Sequence, residues 1–342
     1  MSKMKEEKRK VQMTGGSTLT ISLPISWARE VGISQGDEVN LCWQEDKSIL
    51  LTAKPKKKQG MSRAVIKLFP GEKPEDILRL LIAHYLVGYD IIDLISQKGF
   101  NTQDRKWIKD TVRQRLIGLE VVEESGEELI LQSLLNYEDL NLEKAIQRMS
   151  RIIKSIQKDS IRALQGDIAL ARDVIQRDDE VDRFYLLIVR QLKAALRDPE
   201  LAKKIGIRGP RDCMGYRLII KSMERIADHA EKIARDAIQI GYLNPEIYTE
   251  ISGVSELAQN VFDISLESLS KRDLKTANRA IAESKETANL ATMISNRIFK
   301  TSLSITEQIC LSSVLESLRR MAEYGEGIAE IVINMVVKEP EV

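Results

Sequence analysis

Apolar or small residues recur at Ile219, Met223, Ile226, Ala230, Ile233 and Ala237, stepping alternately by four and three. That period predicts a helix packed lengthwise against other helices. Beside the seam runs a polar row, Glu224, Asp228, Glu231 and Arg235, also at helical spacing. Two carboxylates four residues apart, next to a seam that must be buried, cost free energy unless something neutralises them. The row reads either as a solvated face answered by Arg225 and Lys232 or as ligands for a hard or borderline metal ion.

The first part of the chain follows another pattern. Residues 8–13 and 19–23 predict short strands joined by the turn Thr14-Gly15-Gly16-Ser17. Pro24 and Ile25 lead into a short helix at 26–31, ended by Gly32. A turn at Gly36-Asp37 precedes a strand at 38–44, which pairs back with 48–53 across Glu45-Asp46-Lys47. Residues 55–59 form a basic linker containing Pro55. Beyond it, 63–69 predicts a strand and 74–97 a single apolar helix opened by Pro74-Glu75-Asp76. Asn101-Thr102 caps a helix running to 116, and 119–123 pairs with 128–134 as a hairpin across Ser125-Gly126. The resulting module of strand, two helices and two strands carries no pointed chemistry. A docking or oligomerisation role is its default.

From Asn141 on, the period is helical, with breaks at Gly166-Asp167, Arg208-Gly209-Pro210, Gly241, Asn244-Pro245, Lys271-Arg272-Asp273 and residues 302–306. Asp167 is placed to cap a helix, Pro210 to open one and Gly241 to close one. This part repeats itself. The seam from Ile219 to Ala237 maps, ninety-five residues on, to Val314, Leu318, Met321, Gly325, Ile328 and Val332. Gly166-Asp167 likewise maps to Arg272-Asp273. Two three-helix units are expected, packed side by side with pseudo-twofold symmetry.

Composition narrows the classes. The chain has 342 residues, 43% hydrophobic, 30% charged and only 5% aromatic, which suits a helix-rich protein of several domains. Its 52 basic and 51 acidic residues leave a formal charge of +1, so no global field advertises nucleic acid or membrane. No apolar run reaches the length of a membrane-spanning helix, and the charged first ten residues do not resemble a secretory signal. The expected location is cytoplasmic. Three scattered cysteines give no zinc spacing, and two histidines, His84 and His229, exclude a zinc enzyme built on several His ligands. No P-loop, nucleotide-binding glycine pattern, nucleophile–His pair or Glu-x-x-His pair is present, so no enzyme is expected.

Carboxylates converge in one repeat. Asp178 and Asp182 lie one turn apart on the second helix of the first unit, as Glu224 and Asp228 do on the third. Facing carboxylates on adjacent antiparallel helices are how helical bundles build hard-metal sites. The bland alternative for Asp178–Asp182 is an acidic face answered by Arg177 and Arg183.

Two resemblances follow from these residues. Ile21-Ser22-Leu23-Pro24, Val31-Gly32-Ile33, Gly36-Asp37-Glu38-Val39 and Ile49-Leu50-Leu51 resemble the AbrB/SpoVT/MazE family of swapped-hairpin DNA-binding domains. That resemblance implies a homodimer with interleaved hairpins, and a half-barrel so short could not bury a core alone. Lys8, Arg9, Lys10 and Arg29 are the candidate DNA contacts, with Lys54, Lys56, Lys57 and Lys58 behind them. Such charges serve phosphate contact; base readout has few side chains to carry it. DNA binding and pure dimerisation stand side by side.

Gly166-Asp167, the run from Val174 to Asp182, and Glu224-Arg225-Ile226-Ala227-Asp228-His229-Ala230 resemble the PhoU family of phosphate-uptake regulators. The resemblance implies two three-helix bundles, negative regulation of phosphate transport, partnership with a phosphate ABC transporter or its signalling proteins, and an iron or zinc site. Carried over by position, Asp178, Asp182, Glu224 and Asp228 are its metal ligands. The second repeat departs, with Ser284, Ala288 and Arg319 at the places of Asp178, Asp182 and Glu224, while Glu286 and Glu323 match Glu180 and Asp228. At most one metal site is expected.

The expected fold is mainly α: two tandem three-helix bundles after a small β-rich swapped-hairpin domain and a small α/β module. The expected domains are 1–58, 59–138, 139–242 and 243–342. The alternative function is an AbrB-type transcriptional regulator whose helical part senses a metal or phosphate-linked ligand.

Overall fold

The computed structural model describes residues 6–43, 47–53, 61–69, 71–137, 140–299 and 303–338. The expected linker at 55–59, its lysines, Lys54, and Glu45-Asp46 of the second hairpin turn lie outside the described residues. The chain forms two compact units, one reaching to Met61 and one spanning Ser62–Lys338.

In the first unit, β1 (Gln12–Thr14) pairs antiparallel with β2 (Thr18–Thr20), placing Met13 opposite Leu19. Gly15 and Gly16 both adopt positive φ, the backbone that a tight turn demands and that side chains resist. Both strands are shorter than the sequence pattern predicts. Helix α1 (Ile25–Val31) stops at Gly32, whose left-handed backbone caps it. β3 (Val39–Trp43) and β4 (Ile49–Ala53) complete a second hairpin. Among the described residues of this unit only Ala28 is buried. Met13, Leu19, Ile21, Ile25, Leu41 and Trp43 are all exposed.

The second unit opens with β5 (Arg63–Leu68), α2 (Pro74–Val87), β6 (Ile91–Ser96), α3 (Thr102–Arg115), β7 (Leu119–Glu124) and β8 (Glu128–Ser133). The sheet order is β5-β6-β8-β7, with β5 and β6 parallel and the other pairs antiparallel. The expected single helix over 74–97 is thus a helix and a strand. Gly88 takes φ 101° and ends α2, and the β-branched run Ile91-Ile92 continues as a central strand. Strand β5 alternates strictly, Ala64, Ile66 and Leu68 inward and the intervening residues outward. Leu81, Tyr85, Ile108 and Val112 of α2 and α3 join that inner face in one core.

The helices that follow are α4 (Leu142–Ala163), α5 (Ile168–Ala195), the short α6 (Pro199–Lys204), α7 (Pro210–Ile240), α8 (Pro245–Lys271), α9 (Leu274–Ile298) and α10 (Ile305–Val336). Helices α4, α5 and α7 form one three-helix bundle and α8, α9 and α10 another, joined through α7 against α10. Every residue of the two repeated seams is buried. The caps repeat as well: Asp167 accepts from the Leu170 amide and Asp273 from the Thr276 amide. Gly325 holds its place because a Cβ there would come within 2.8 Å of Val261.

The α/β module docks on the first bundle, where α2 and α3 pack against α5. Arg190 of α5 is 2% exposed and donates to the carbonyls of Tyr85 and Tyr89 and to the Tyr137 hydroxyl. Its guanidinium also lies over the Tyr85 ring. Among the described residues no helix is long and apolar enough to cross a membrane.

Candidate functional site

The acidic row of the first bundle is assembled by the register of α5 and α7. As the residue number rises along α5 it falls along α7, so Asp178 acts on Asp228 and Asp182 on Glu224. One turn further, Tyr185 faces Lys221 and Arg217, whose cationic ends sit 5.3 and 4.9 Å from its ring. The structure therefore brings all four predicted ligands onto one seam between two helices. Asp167 caps the start of α5, and Gly209-Pro210 opens α7.

Electrostatics show how crowded the seam is. Desolvation, then the charges of Asp182 and Asp228, push the Asp178 carboxyl up to about 8. Desolvation and Glu224 raise Asp182, against the lowering influence of Arg115. Asp228 reaches solvent, yet is also raised, by desolvation first and Glu224 second.

Among the described residues three cations of the chain sit on the row, one of them Arg235, 2.5 Å from Glu231. Arg115, the last residue of α3, donates to Asp182 Oδ2 at 2.9 Å and lies 3.2 Å from Asp179 Oδ1. Lys221 closes on both oxygens of Glu224, one turn back on α7. Among the described residues no three His, Cys, Asp or Glu side chains are arranged to hold a metal ion. With Asp182 and Glu224 engaged in this way, the four carboxylates as they stand do not fit a bound ion. His229 does not join them: it faces Tyr324 of α10 at 5.8 Å between ring centres. Desolvation, then Lys232 and Arg320, lowers its pKa to about 4.

The second bundle neutralises its own seam. Arg319, standing in the place of Glu224, pairs with Glu316 at 2.6 Å and with Glu323. Ser284 is fully buried at the place of Asp178, and Glu286 points to solvent.

The candidate DNA contacts Lys8, Arg9, Lys10 and Arg29 are all exposed, and Arg9 pairs with Glu7 at 2.8 Å. Sequence reasoning missed Arg115 and Lys221. Lys221 lies at i−3 from Glu224, a signal that helical spacing carries. Arg115 is sixty-seven residues from Asp182 and no local pattern links them.

Comparison with known proteins agrees with this architecture. The PhoU domain family matches residues 146–237 and 251–332, one copy per bundle and together more than half of the chain. The family described as antidote-toxin recognition MazE, bacterial antitoxin, matches residues 12–59. A phosphate-specific transport system accessory protein PhoU homolog of Pseudomonas aeruginosa is 26% identical over 209 residues, 55% of this chain and 79% of that protein. One from Aquifex aeolicus is 28% identical over 147 residues, covering 41% and 64%. The crystal structure of PhoU from Pseudomonas aeruginosa superposes with a TM-score of 0.52 at 21% identity, covering 59% of this chain and 98% of that one. The chain belongs to the PhoU domain family, with a MazE-like domain at its N-terminal end.

Proposed function

We propose that the chain is a regulator of phosphate uptake, an accessory to a phosphate transport system that restrains transport or its signalling when phosphate is plentiful. The observation that carries this reading is the pair of PhoU domains in tandem, each folded as a complete three-helix bundle. Relatives named as accessory proteins of the phosphate-specific transport system support it. The reading assigns no catalysis and places the protein on the cytoplasmic side, against the transporter's own subunits. The test is recovery of those subunits with the tagged protein after cross-linking in phosphate-replete cells. Absence of any transporter or phosphate-signalling subunit in such preparations contradicts the reading.

The first unit makes the assembly a homodimer in this account. A unit whose exposed side chains include Met13, Leu19, Ile21, Leu41 and Trp43, and in which Ala28 alone is buried among the described residues, shows no core of its own among them. Interleaving with a second copy supplies one. Light scattering should give twice the chain mass, and Ile21→Asp with Leu41→Asp should reduce it. DNA contact through Lys8, Lys10 and Arg29 is the second reading, supported by the MazE-like match. A salt-dependent gel shift on promoters of phosphate-transport genes tests it, and no binding at low salt removes it.

A further inference from the structure

The bonds from α5 to the α/β module reach α2 and α3 at their C-terminal ends, at Tyr85 and Arg115. At the opposite ends the same two helices border a cleft. Strands β5 and β6 run parallel, and their last residues, Leu68 and Ser96, line it beside the first turns of α2 and α3. An open α/β sheet leaves a crevice at the C-terminal ends of its parallel strands, and ligands bind there. This one encloses about 380 Å³, room for one ring and a short chain.

Local bonds hold its walls. The Ser96 hydroxyl donates to the Gly99 carbonyl at 3.0 Å, and the Glu72 amide to the Phe69 carbonyl at 3.3 Å. Asn101 accepts from the Asp104 amide at 2.8 Å, which fixes the start of α3. A cleft shaped in advance spares a ligand the cost of ordering it.

The lining states what would fit. Phe69, Ile77, Phe100 and Trp107 form an apolar, aromatic wall, and Phe69 is largely exposed without an occupant to cover it. Glu72 and Asp104 carry negative charge there against the single Lys98. Asp104 sits in the first turn of α3, where the helix dipole favours a carboxylate whatever the cleft holds. Glu72 is different. It stands ahead of Lys73, the N-cap of α2, half-buried, with its Oε2 shut from solvent and without a hydrogen-bond partner among the described residues. An oxygen kept in that state costs free energy until an N–H donor reaches it. An ammonium group supplies both the donors and the opposite charge, and aromatic faces attract it.

We propose that this cleft binds a small organic ammonium compound with an apolar body, its nitrogen held by Glu72 and its body among Phe69, Phe100 and Trp107. A free amine and an amino acid share that chemistry. The proposal does not rest on the transporter reading, because its test needs only the purified chain.

Isothermal titration of the full-length protein with phenethylamine, phenylalanine and 3-phenylpropionate provides the test. At least one of the two ammonium compounds should bind, one per chain, with a Kd at or below about 1 mM. The tighter of them tells whether the ligand is an amine or an amino acid. 3-Phenylpropionate, with the same ring and linker and the opposite charge, should bind at least about tenfold more weakly, the worth of one charge-assisted hydrogen bond. Glu72→Gln should weaken the ammonium compound by a similar factor. Glu75→Gln, which removes the same charge from an exposed position in the first turn of α2, should leave affinity unchanged. Failure of both ammonium compounds to bind, equal binding of 3-phenylpropionate, unaltered affinity in Glu72→Gln, or equal losses from the two substitutions overturns the proposal. The comparison of probes uses the unaltered chain, so it decides the matter if Glu72→Gln does not fold.

Discussion

Arg319 stands at the place of Glu224, ninety-five residues on, and closes on Glu323, the counterpart of Asp228. The charge reversal at this position, together with Ser284 and Ala288 in place of Asp178 and Asp182, distinguishes the internally paired seam from the acidic one. The exchange should work in the other direction. Glu224→Arg is expected to fold, with its melting temperature within a few degrees of the parent, because the second bundle shows that this backbone accepts the longer side chain. Circular dichroism melting of the variant beside the parent checks this.

Protonation gives a prediction of definite sign. Desolvation and like charges raise Asp178 to about 8 in the folded chain, against about 4 when unfolded. The folded state therefore holds a proton that the unfolded chain releases from about pH 4 upward. Stability from that proton is complete below pH ~4 and declines until about pH 8, where the folded group also ionises. Chelated protein should melt lower at pH 8.5 than at pH 5. Asp178→Asn should flatten most of this slope and melt above the parent at pH 8.5.

Arg190 ties the α/β module to α5 through two carbonyls and a hydroxyl in a site 2% exposed. Arg190→Ala leaves those acceptors unpaired and opens a cavity, a loss of about 3–5 kcal/mol by analogy with broken buried polar pairs. Urea unfolding should then show two transitions where the parent shows one for the second unit. Limited proteolysis should cut between β8 and α4.

Glycines of the helices should respond according to their neighbours. Gly325→Ala drives a methyl to 2.8 Å from Val261, a clash with a packed, branched side chain, and should cost about 1–3 kcal/mol. At Gly253 nothing lies within 4 Å, so Gly253→Ala should stabilise by about 0.5–1 kcal/mol. Chemical denaturation of the two variants side by side separates packing from backbone entropy.

Much of this organisation is legible in the chain because helical seams and caps are local signals. Asp167, Pro210 and Gly241 all serve the ends assigned to them. The repeat spacing singles out Arg319 and Ser284 before any contact is known. The break inside 74–97 is less visible, since the apolar residues Leu80, Leu81, Val87 and Ile91 keep a helical step straight through Gly88. The pairing of Ile91 with Arg63 on one side and Gln132 on the other shows that the chain has become a strand. The short α6 carries too few turns to leave a period. Least legible is Arg115, whose meaning depends on a tertiary docking that Arg190 and the tyrosines enforce. The row of carboxylates could be found by spacing, whereas its counter-cation could not.

A regulator of phosphate uptake shows itself in uptake. Radiolabelled phosphate should be followed in phosphate-rich medium in cells with and without the gene, and with a plasmid copy restored. Uptake should rise when the gene is removed and return to the parental rate with the plasmid copy. Uptake identical in all three strains would contradict a role in phosphate uptake.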